Sequence, residues 1–491
     1  MESRTIHQFL QGKTLLITGA TGFLAKLLVE KILRVQPNVK KLYLLIRASD
    51  NNSARERFTD EVMKSELFNV IREKMSVNLC SLVEEKVFAI SGDISYENMG
   101  IRNSELREEM CKEIDIIINS AATTNFYERY DVAMNVNVVG AMNVLRFAKS
   151  CGKLTMLLHV STGYVCGKGK GVLLEKPFLM GETLNKISYL DMDVERDVIA
   201  NKFKELEALN ATSKEITTTM KELGIQRARL HGWQNTYTFT KAMGEMLLGH
   251  LKENLQVVII RPTIITSTYK EPFPGWIEGV RTVDSFILAY GKGILNFFYG
   301  DPDSQLDVIP GDMVVNSILA AALAHGNQHS QEVVVYHISS SSRDPLKISN
   351  IVLFSFHYFM QNPWVNKDGK TIKVRAPMRS FSSMASFSKH ISTHYVPLLK
   401  MLKFVNLVSC HCFDKTYRYM ERKMHMVMRL SELYEPYVFF YGSFNDVNTE
   451  RLRLAMKEIN MDDVLNFDPR CIKWEDYLMY THIPGVVKYL F

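Results

Sequence analysis

The stretch Leu15-Leu16-Ile17-Thr18-Gly19-Ala20-Thr21-Gly22-Phe23-Leu24-Ala25 decides how the rest of the chain is read. An apolar run, Thr14 to Ile17, meets a glycine-rich turn, and the turn feeds a helix predicted over Phe23 to Val35. This is the pattern of the first strand–turn–helix unit of a dinucleotide-binding sheet. Gly19 permits the tight turn, Gly22 lets the backbone approach a pyrophosphate, and Ala25 keeps the helix close to the strand. The helix N-terminus then offers unpaired N–H groups and a positive dipole end to the phosphates. Thr18, Gly19, Thr21, Gly22, Phe23 and Leu24 are therefore candidate cofactor contacts.

Outward from this unit, strand and helix signals alternate, as a parallel sheet with crossover helices requires. Strands are predicted over Lys41–Arg47, Lys86–Ile90, Asp115–Asn119 and Thr155–Ser161, with one or two amphipathic helices over residues 51–84 and another over Asn135–Ser150. Lys168 to Lys186 reads as a loop and Val194 to Leu223 as a long polar helical pattern. The core resumes with a helix, Thr236 to Leu251, and a strand, Val257 to Arg261. A serine-rich turn at Ser339 to Pro345 marks a domain boundary. The predicted fold is α/β, a Rossmann-type doubly wound parallel sheet over residues 1–345, followed by a smaller, mainly helical domain over 346–491.

Composition narrows the class. The chain has 491 residues and a net charge of +6, but thirteen Lys/Arg against three acids fall between Lys367 and Arg429. That window could meet an anionic membrane or a phosphorylated ligand, or be a solvated basic face. Seven scattered cysteines contain no CxxC pair, which argues against a zinc site and for a reducing compartment. Cys410-His411-Cys412 is expected to pack, since two thiols flanking one histidine are too close to share a metal. The glycine turn begins too early to leave room for a signal or transit peptide, and no run reaches the roughly 20 apolar residues of a membrane span. No nucleic-acid partner is expected.

Chemistry enters with four groups of residues. Arg47 ends the second strand where an acid would bond the ribose of NAD; an arginine would pair a 2′-phosphate, which favours NADP(H). Asp93 and Ile94 would flank the adenine, and Ala121, in Asn119-Ser120-Ala121-Ala122, ends the fourth strand with small residues that let a cofactor pass. Asn137 is a candidate for a structural hydrogen bond. Tyr237 and Lys241, four apart on one helix face, form a YxxxK pair in which the ammonium would lower the phenol pKa and bond the nicotinamide ribose. Thr162, with Ser161 as understudy, stands at the end of the fifth strand, where a hydroxyl can hold a carbonyl receiving hydride.

The glycine turn, the hydroxyl motif, the YxxxK motif and Arg261-Pro262-Thr263-Ile264 together resemble an extended short-chain dehydrogenase/reductase. More narrowly, the chain is similar to the alcohol-forming fatty acyl-CoA reductases, particularly their plant branch. Asn119 to Phe126, Gly232 to Tyr237, Asp307-Val308-Ile309-Pro310-Gly311-Asp312, Trp474-Glu475-Asp476-Tyr477 and His482-Ile483-Pro484-Gly485 carry the resemblance along nearly the whole chain. It implies reduction of a long-chain acyl-CoA by NADPH to a primary alcohol through an aldehyde, for lipids of wax or suberin type. It also implies Pro262 and Thr263 as cofactor contacts, and residence in the cytoplasm or on the cytosolic face of the endoplasmic reticulum. A departure from the general short-chain pattern is the insert at about 168–229, which could be a lid over a long chain. Two rivals remain open here: a relative acting on a sugar nucleotide or hydroxysteroid, and a non-catalytic NADP-binding regulator.

In the basic window, Tyr395 to Val408 is apolar and punctuated by Lys400 and Lys403, as on an interfacial helix. It could rest on a membrane or pack within the second domain. Oligomeric state is not legible.

Overall fold

The computed structural model describes residues 5–75, 78–168, 170–326, 332–366 and 368–490. Seven strands form one parallel sheet: β1 Thr14–Thr18, β2 Lys41–Ile46, β3 Val87–Ser91, β4 Ile116–Asn119, β5 Met156–Val160, β6 Val257–Pro262 and β7 Val334–Ile338. Their spatial order is β3-β2-β1-β4-β5-β6-β7, so the winding reverses between β1 and β4. Ligands of open sheets bind at such a reversal, beyond the strands' C-terminal ends.

The central strands are apolar throughout because both faces are covered. Leu15 and Ile17 of β1 point into a core with the helices α1 (Phe23–Val35) and, further on, Gly311–His325. Leu16, one residue out of phase, points to the other side, where α2 (Gly140–Ser150) packs with α3 (Thr236–Leu251). Asn137 has the structural role expected of it, bonding the Thr123 backbone in both directions and the Thr240 hydroxyl.

Three segments depart from the sequence reading. The described residues of 51–86 form several short helical pieces rather than one or two helices. The stretch 168–186 is not only loop: Gly171–Leu173 pairs in parallel with Gly442–Phe444. The insert contains two helices, Met192–Ala208 and Ser213–Leu230, packed on the flank of α3. A buried carboxylate holds that packing, Glu195 accepting from Tyr130 Oη (2.7 Å), Arg227 Nε (2.9 Å) and the His231 ring (3.0 Å). The lid expected of the insert does not cover the site: among the described residues, none from 168–229 lines the large cavity at the ligand end of the sheet.

The C-terminal region is helical and docks on the sheet domain at several places. Tyr477 donates to or accepts from Thr266 and Ser267 after β6, His482 is fully buried against Ser267, and Trp474 Nε1 donates to the Asp344 carbonyl. The last turns of α4, the 25-residue helix Asp414–Val438, close over the ligand end of the sheet, where Asn235 donates to the Tyr437 hydroxyl at 2.9 Å. Among the described residues, no helix is long and apolar enough to cross a membrane.

Candidate functional site

At the reversal, β1 runs into the glycine turn. Gly19 adopts φ +69°, and a Cβ there would stand 2.8 Å from the Ala121 Cα at the end of β4, so only glycine fits. Its carbonyl accepts the Gly22 N–H at 2.9 Å, and Gly22 opens α1 without a side-chain cap. The first N–H groups of α1 are thereby left for an anionic ligand.

A cavity of about 900 Å3 extends from this turn across the ends of the strands. Its walls include Gly19, Thr21, Gly22, Phe23, Leu24, Arg47, Asp93, Ile94 and Ala121 at one end, and Ser161, Thr162, Tyr237, Pro262 and Thr263 at the other. The sheet thus gathers in one space residues spread over nearly 250 positions of sequence. At the first end, Arg47 is exposed at the rim, and Arg57 reaches back to its carbonyl (2.5 Å) while gripping Glu61. Asp50, the nearest acid, caps the helix Asn51–Arg57 by accepting the Ser53 N–H at 2.8 Å.

At the other end, Tyr237 sits in the first turn of α3, which Asn235 caps through the Thr238 N–H (2.9 Å). Thr162 borders the cavity beside it, and burial pushes the pKa of the phenol up to about 12 against the pull of Arg281 and of the Thr162 hydroxyl. The Ser161 hydroxyl is buried with no partner among the described residues, although the residue borders the cavity. Pro262 is followed by Thr263, whose hydroxyl donates to Asp307 (2.8 Å); Asp307 also takes the N–H groups of Ser340 and Ser341 and so fixes the end of β6.

Two of the sequence candidates lie behind this wall. Thr18 is fully buried, and its hydroxyl donates to Asn119 Oδ1 at 2.7 Å instead of reaching the cavity. Lys241 is also buried: Nζ donates to the Val160 carbonyl at 2.7 Å and lies 3.1 Å from His159 Nε2. The expected pull of Lys241 on the phenol is therefore not what the structure contains; the cation acting on Tyr237 is Arg281. Burial lowers Lys241 itself to about 8, against the attraction of Glu245.

Sequence reasoning missed several residues of the cavity. Arg281 lines it with its guanidinium 5.1 Å from the Phe23 ring centroid, and no motif marked it. Phe126 stacks on Tyr437 (5.0 Å between centroids) and Tyr237 (6.0 Å). From α4 come Leu430, Leu433, Tyr434 and Tyr437, with the Tyr437 hydroxyl held by Asn235 at 2.9 Å. Their spacing of three, four and seven is the stripe of one helix face, a signal present in the sequence but indistinguishable there from ordinary core.

Two family models match the chain, both described as male sterility protein: an NAD-binding model over residues 17–318 and a second over residues 393–491. The alcohol-forming fatty acyl-CoA reductase of Simmondsia chinensis is 48% identical over 490 residues, covering 100% of this chain and 99% of the relative. Fatty acyl-CoA reductase 1 of Arabidopsis thaliana is 50% identical over 493 residues, with the same coverage. Among solved structures, the terminal R domain of the myxalamid pathway aligns at TM-score 0.57 and 16% identity, covering 97% of this chain and 91% of that one. The R domain of a nonribosomal peptide synthetase from Mycobacterium tuberculosis aligns at TM-score 0.58 and 17% identity, covering 100% and 96%. These structures share the fold. The glycine cradle and open helix N-terminus fit a nicotinamide dinucleotide, as the NAD-binding family requires. With half its residues identical to such relatives over its full length, the chain belongs to the fatty acyl-CoA reductase family.

Proposed function

We propose that this protein reduces long-chain acyl-CoA to a primary fatty alcohol with NADPH, in two hydride steps through an aldehyde. The supporting observation is a single cavity that has the glycine turn at one end and, at the other, the Thr162–Tyr237 pair beside the apolar face of α4. The cofactor would supply hydride to the carbonyl carbon. Thr162 and Tyr237 would hold the carbonyl oxygen as charge develops on it, with Arg281 adding a nearby positive charge. Collapse of the hemithioacetal expels CoA thiolate and leaves an aldehyde; after the second reduction Tyr237, with its proton firmly held at neutral pH, gives that proton to the alkoxide. Phe126, Leu430, Leu433 and Tyr434 would line the path of the acyl chain. Arg47 supports NADPH over NADH, because it lines the cavity at the end of β2, where an arginine can pair a 2′-phosphate, while Asp50 caps the next helix.

The test is incubation of the purified protein with a ladder of acyl-CoAs and NADPH, reading free thiol and separating aldehyde from alcohol. Tyr237→Phe and Lys241→Ala should abolish alcohol while the fold is retained by circular dichroism. Near-normal alcohol formation by Tyr237→Phe would refute the assignment. Binding of NADPH with no thiol released from any acyl-CoA would favour a regulator instead.

We also propose contact with an anionic bilayer, such as the cytosolic face of the endoplasmic reticulum. Helix Val396–Val408 buries only Asn406, leaving Leu398, Met401, Phe404, Leu407 and Val408 exposed beside Lys400 and Lys403. The connecting turn exposes Cys410, His411 and Cys412, which do not pack as the sequence suggested, because two left-handed residues turn the chain straight into α4. Exposed apolar residues among lysines are the mark of an interfacial helix. Flotation with vesicles containing phosphatidylserine should capture the protein, and the double variant Lys400→Glu, Lys403→Glu should remain in solution; equal capture of both would sink the idea.

A further inference from the structure

Behind the cavity wall runs a row of buried polar side chains, ending at Lys241, that do not line the cavity themselves. Thr18, Asn119 and His159 are register partners on β1, β4 and β5, so their side chains emerge side by side on one face of the sheet. Each is at most 1% exposed, as is Lys241 at the end of the row. The Thr18 hydroxyl accepts the Ala121 N–H at 3.1 Å and gives its own proton to Asn119 Oδ1 at 2.7 Å. That orients the amide: Oδ1 is the acceptor, and Nδ2 faces His159 Nδ1 at 3.0 Å. An amide N–H has no lone pair to offer, so Nδ1 must accept and the ring proton of a neutral imidazole resides on Nε2.

Nε2 is 3.1 Å from Lys241 Nζ. An ammonium is a donor only, so two N–H groups confront each other unless the amine has released a proton. The other neighbours do little to restore the charge. From β5 comes the Val160 carbonyl, which accepts at 2.7 Å, and from β4 the neutral Asn119. On α3 itself, Tyr237 lies one turn back, and Glu245 one turn on is gripped by Arg261 at 2.5 Å with both side chains fully buried. His159 stays uncharged, since burial and then Lys241 push its pKa well below the ordinary value. The imidazole therefore acts on the lysine through its tautomer.

We propose that His159 is a positioning residue whose tautomer, set from Thr18 through Asn119, presents an N–H to Lys241 and loosens that lysine's hold on its proton. The reading rests on Lys241 serving the reduction. If it does so as a cation, activity falls as pH rises through the lysine's lowered pKa. Freeing the imidazole to turn a lone pair on Nε2 toward the ammonium would move that fall to higher pH.

The direct measurement uses the intact protein labelled with 15N-histidine, in two-bond 1H–15N spectra with the His159 signals assigned by their loss in His159→Phe. A pyrrole-like Nε2 and a pyridine-like Nδ1, unchanged across neutral pH, are expected; the opposite tautomer overturns the proposal. The second measurement is the pH profile of alcohol formation in Asn119→Leu, whose alkaline limb should move up by about one pH unit. A lower rate with the limb unmoved would mean that Asn119 and His159 only support the fold. Lys241→Ala separates the two layers: if it keeps both the rate and the pH profile, the role of the lysine fails, while the spectra still decide the tautomer.

Discussion

If Arg47 pairs a 2′-phosphate as proposed, replacing it with alanine should weaken NADPH binding without harming NADH binding. Arg47 ends β2 at the rim of the cavity, and of the two guanidiniums there Arg57 is already committed, to Glu61 at 2.6 and 3.0 Å and to the Arg47 carbonyl at 2.5 Å. A hydrogen bond to a charged group contributes about 1.5–3 kcal/mol, and the exposure of Arg47 argues for the lower end. About 1.5 kcal/mol corresponds to roughly a tenfold change in affinity. The Asp50 carboxylate is turned to the next helix, where it accepts the Ser53 N–H at 2.8 Å. Titration of each cofactor against intrinsic fluorescence, with KM for each in the thiol-release assay, gives the comparison. The expected result is weakening of NADPH by roughly tenfold with NADH unchanged. Equal weakening of both would refute the reasoning, since Arg47 would then hold a part of the cofactor that the two share.

Three further outcomes follow from geometry already described. Gly19→Ala must hold a side chain at φ +69°, at a cost of about 1–2 kcal/mol, and sets its Cβ 2.8 Å from the Ala121 Cα; both cofactors should lose affinity together by calorimetric titration, and normal binding would mean that the turn relaxes. Leu433→Trp enlarges the α4 wall, so the acyl-CoA ladder should shift toward shorter chains with NADPH affinity unchanged. Glu195 is held to about 2: burial would raise it, but bonds from His231, Arg227 and Tyr130 outweigh that, so its stabilisation is complete above its unfolded pKa and is lost as pH falls from about 4.5 toward 2. Melting temperatures of Glu195→Gln should therefore vary less steeply with pH over that window than those of the parent.

The parts of this architecture that could be read from sequence are those whose cause is local. A parallel strand covered on both faces must be apolar, and a turn that passes 2.8 Å from another strand must be glycine, so β1, β2, β4, β5, β6 and the cradle announce themselves. Tyr237 and Thr162 were legible because helix spacing and strand ends are local as well. Gly171–Leu173 was not, since its pairing partner Gly442–Phe444 comes from the far end of the chain. Arg281 and the α4 wall escaped for a similar reason: what brings them to the cavity is contact with residues far away in sequence. Lys241 illustrates a subtler limit. Its place on the same face as Tyr237 was correct, but the buried neighbours it meets, the Val160 carbonyl and the His159 ring, come from another strand, and no spacing rule reports a register across three strands.

The helix α4 belongs to two environments at once. At 25 residues it is roughly 37 Å long, with its outer turns in the exposed hairpin and its inner turns against Phe126 and Asn235. Near the inner end sits Pro436, which brings no N–H to the helix ladder. The same rod carries an exposed segment at one end and, at the other, Leu430, Leu433 and Tyr434 in the cavity wall, with Tyr437 held by Asn235. A change of seating at the outer end would be felt along the rod at that wall.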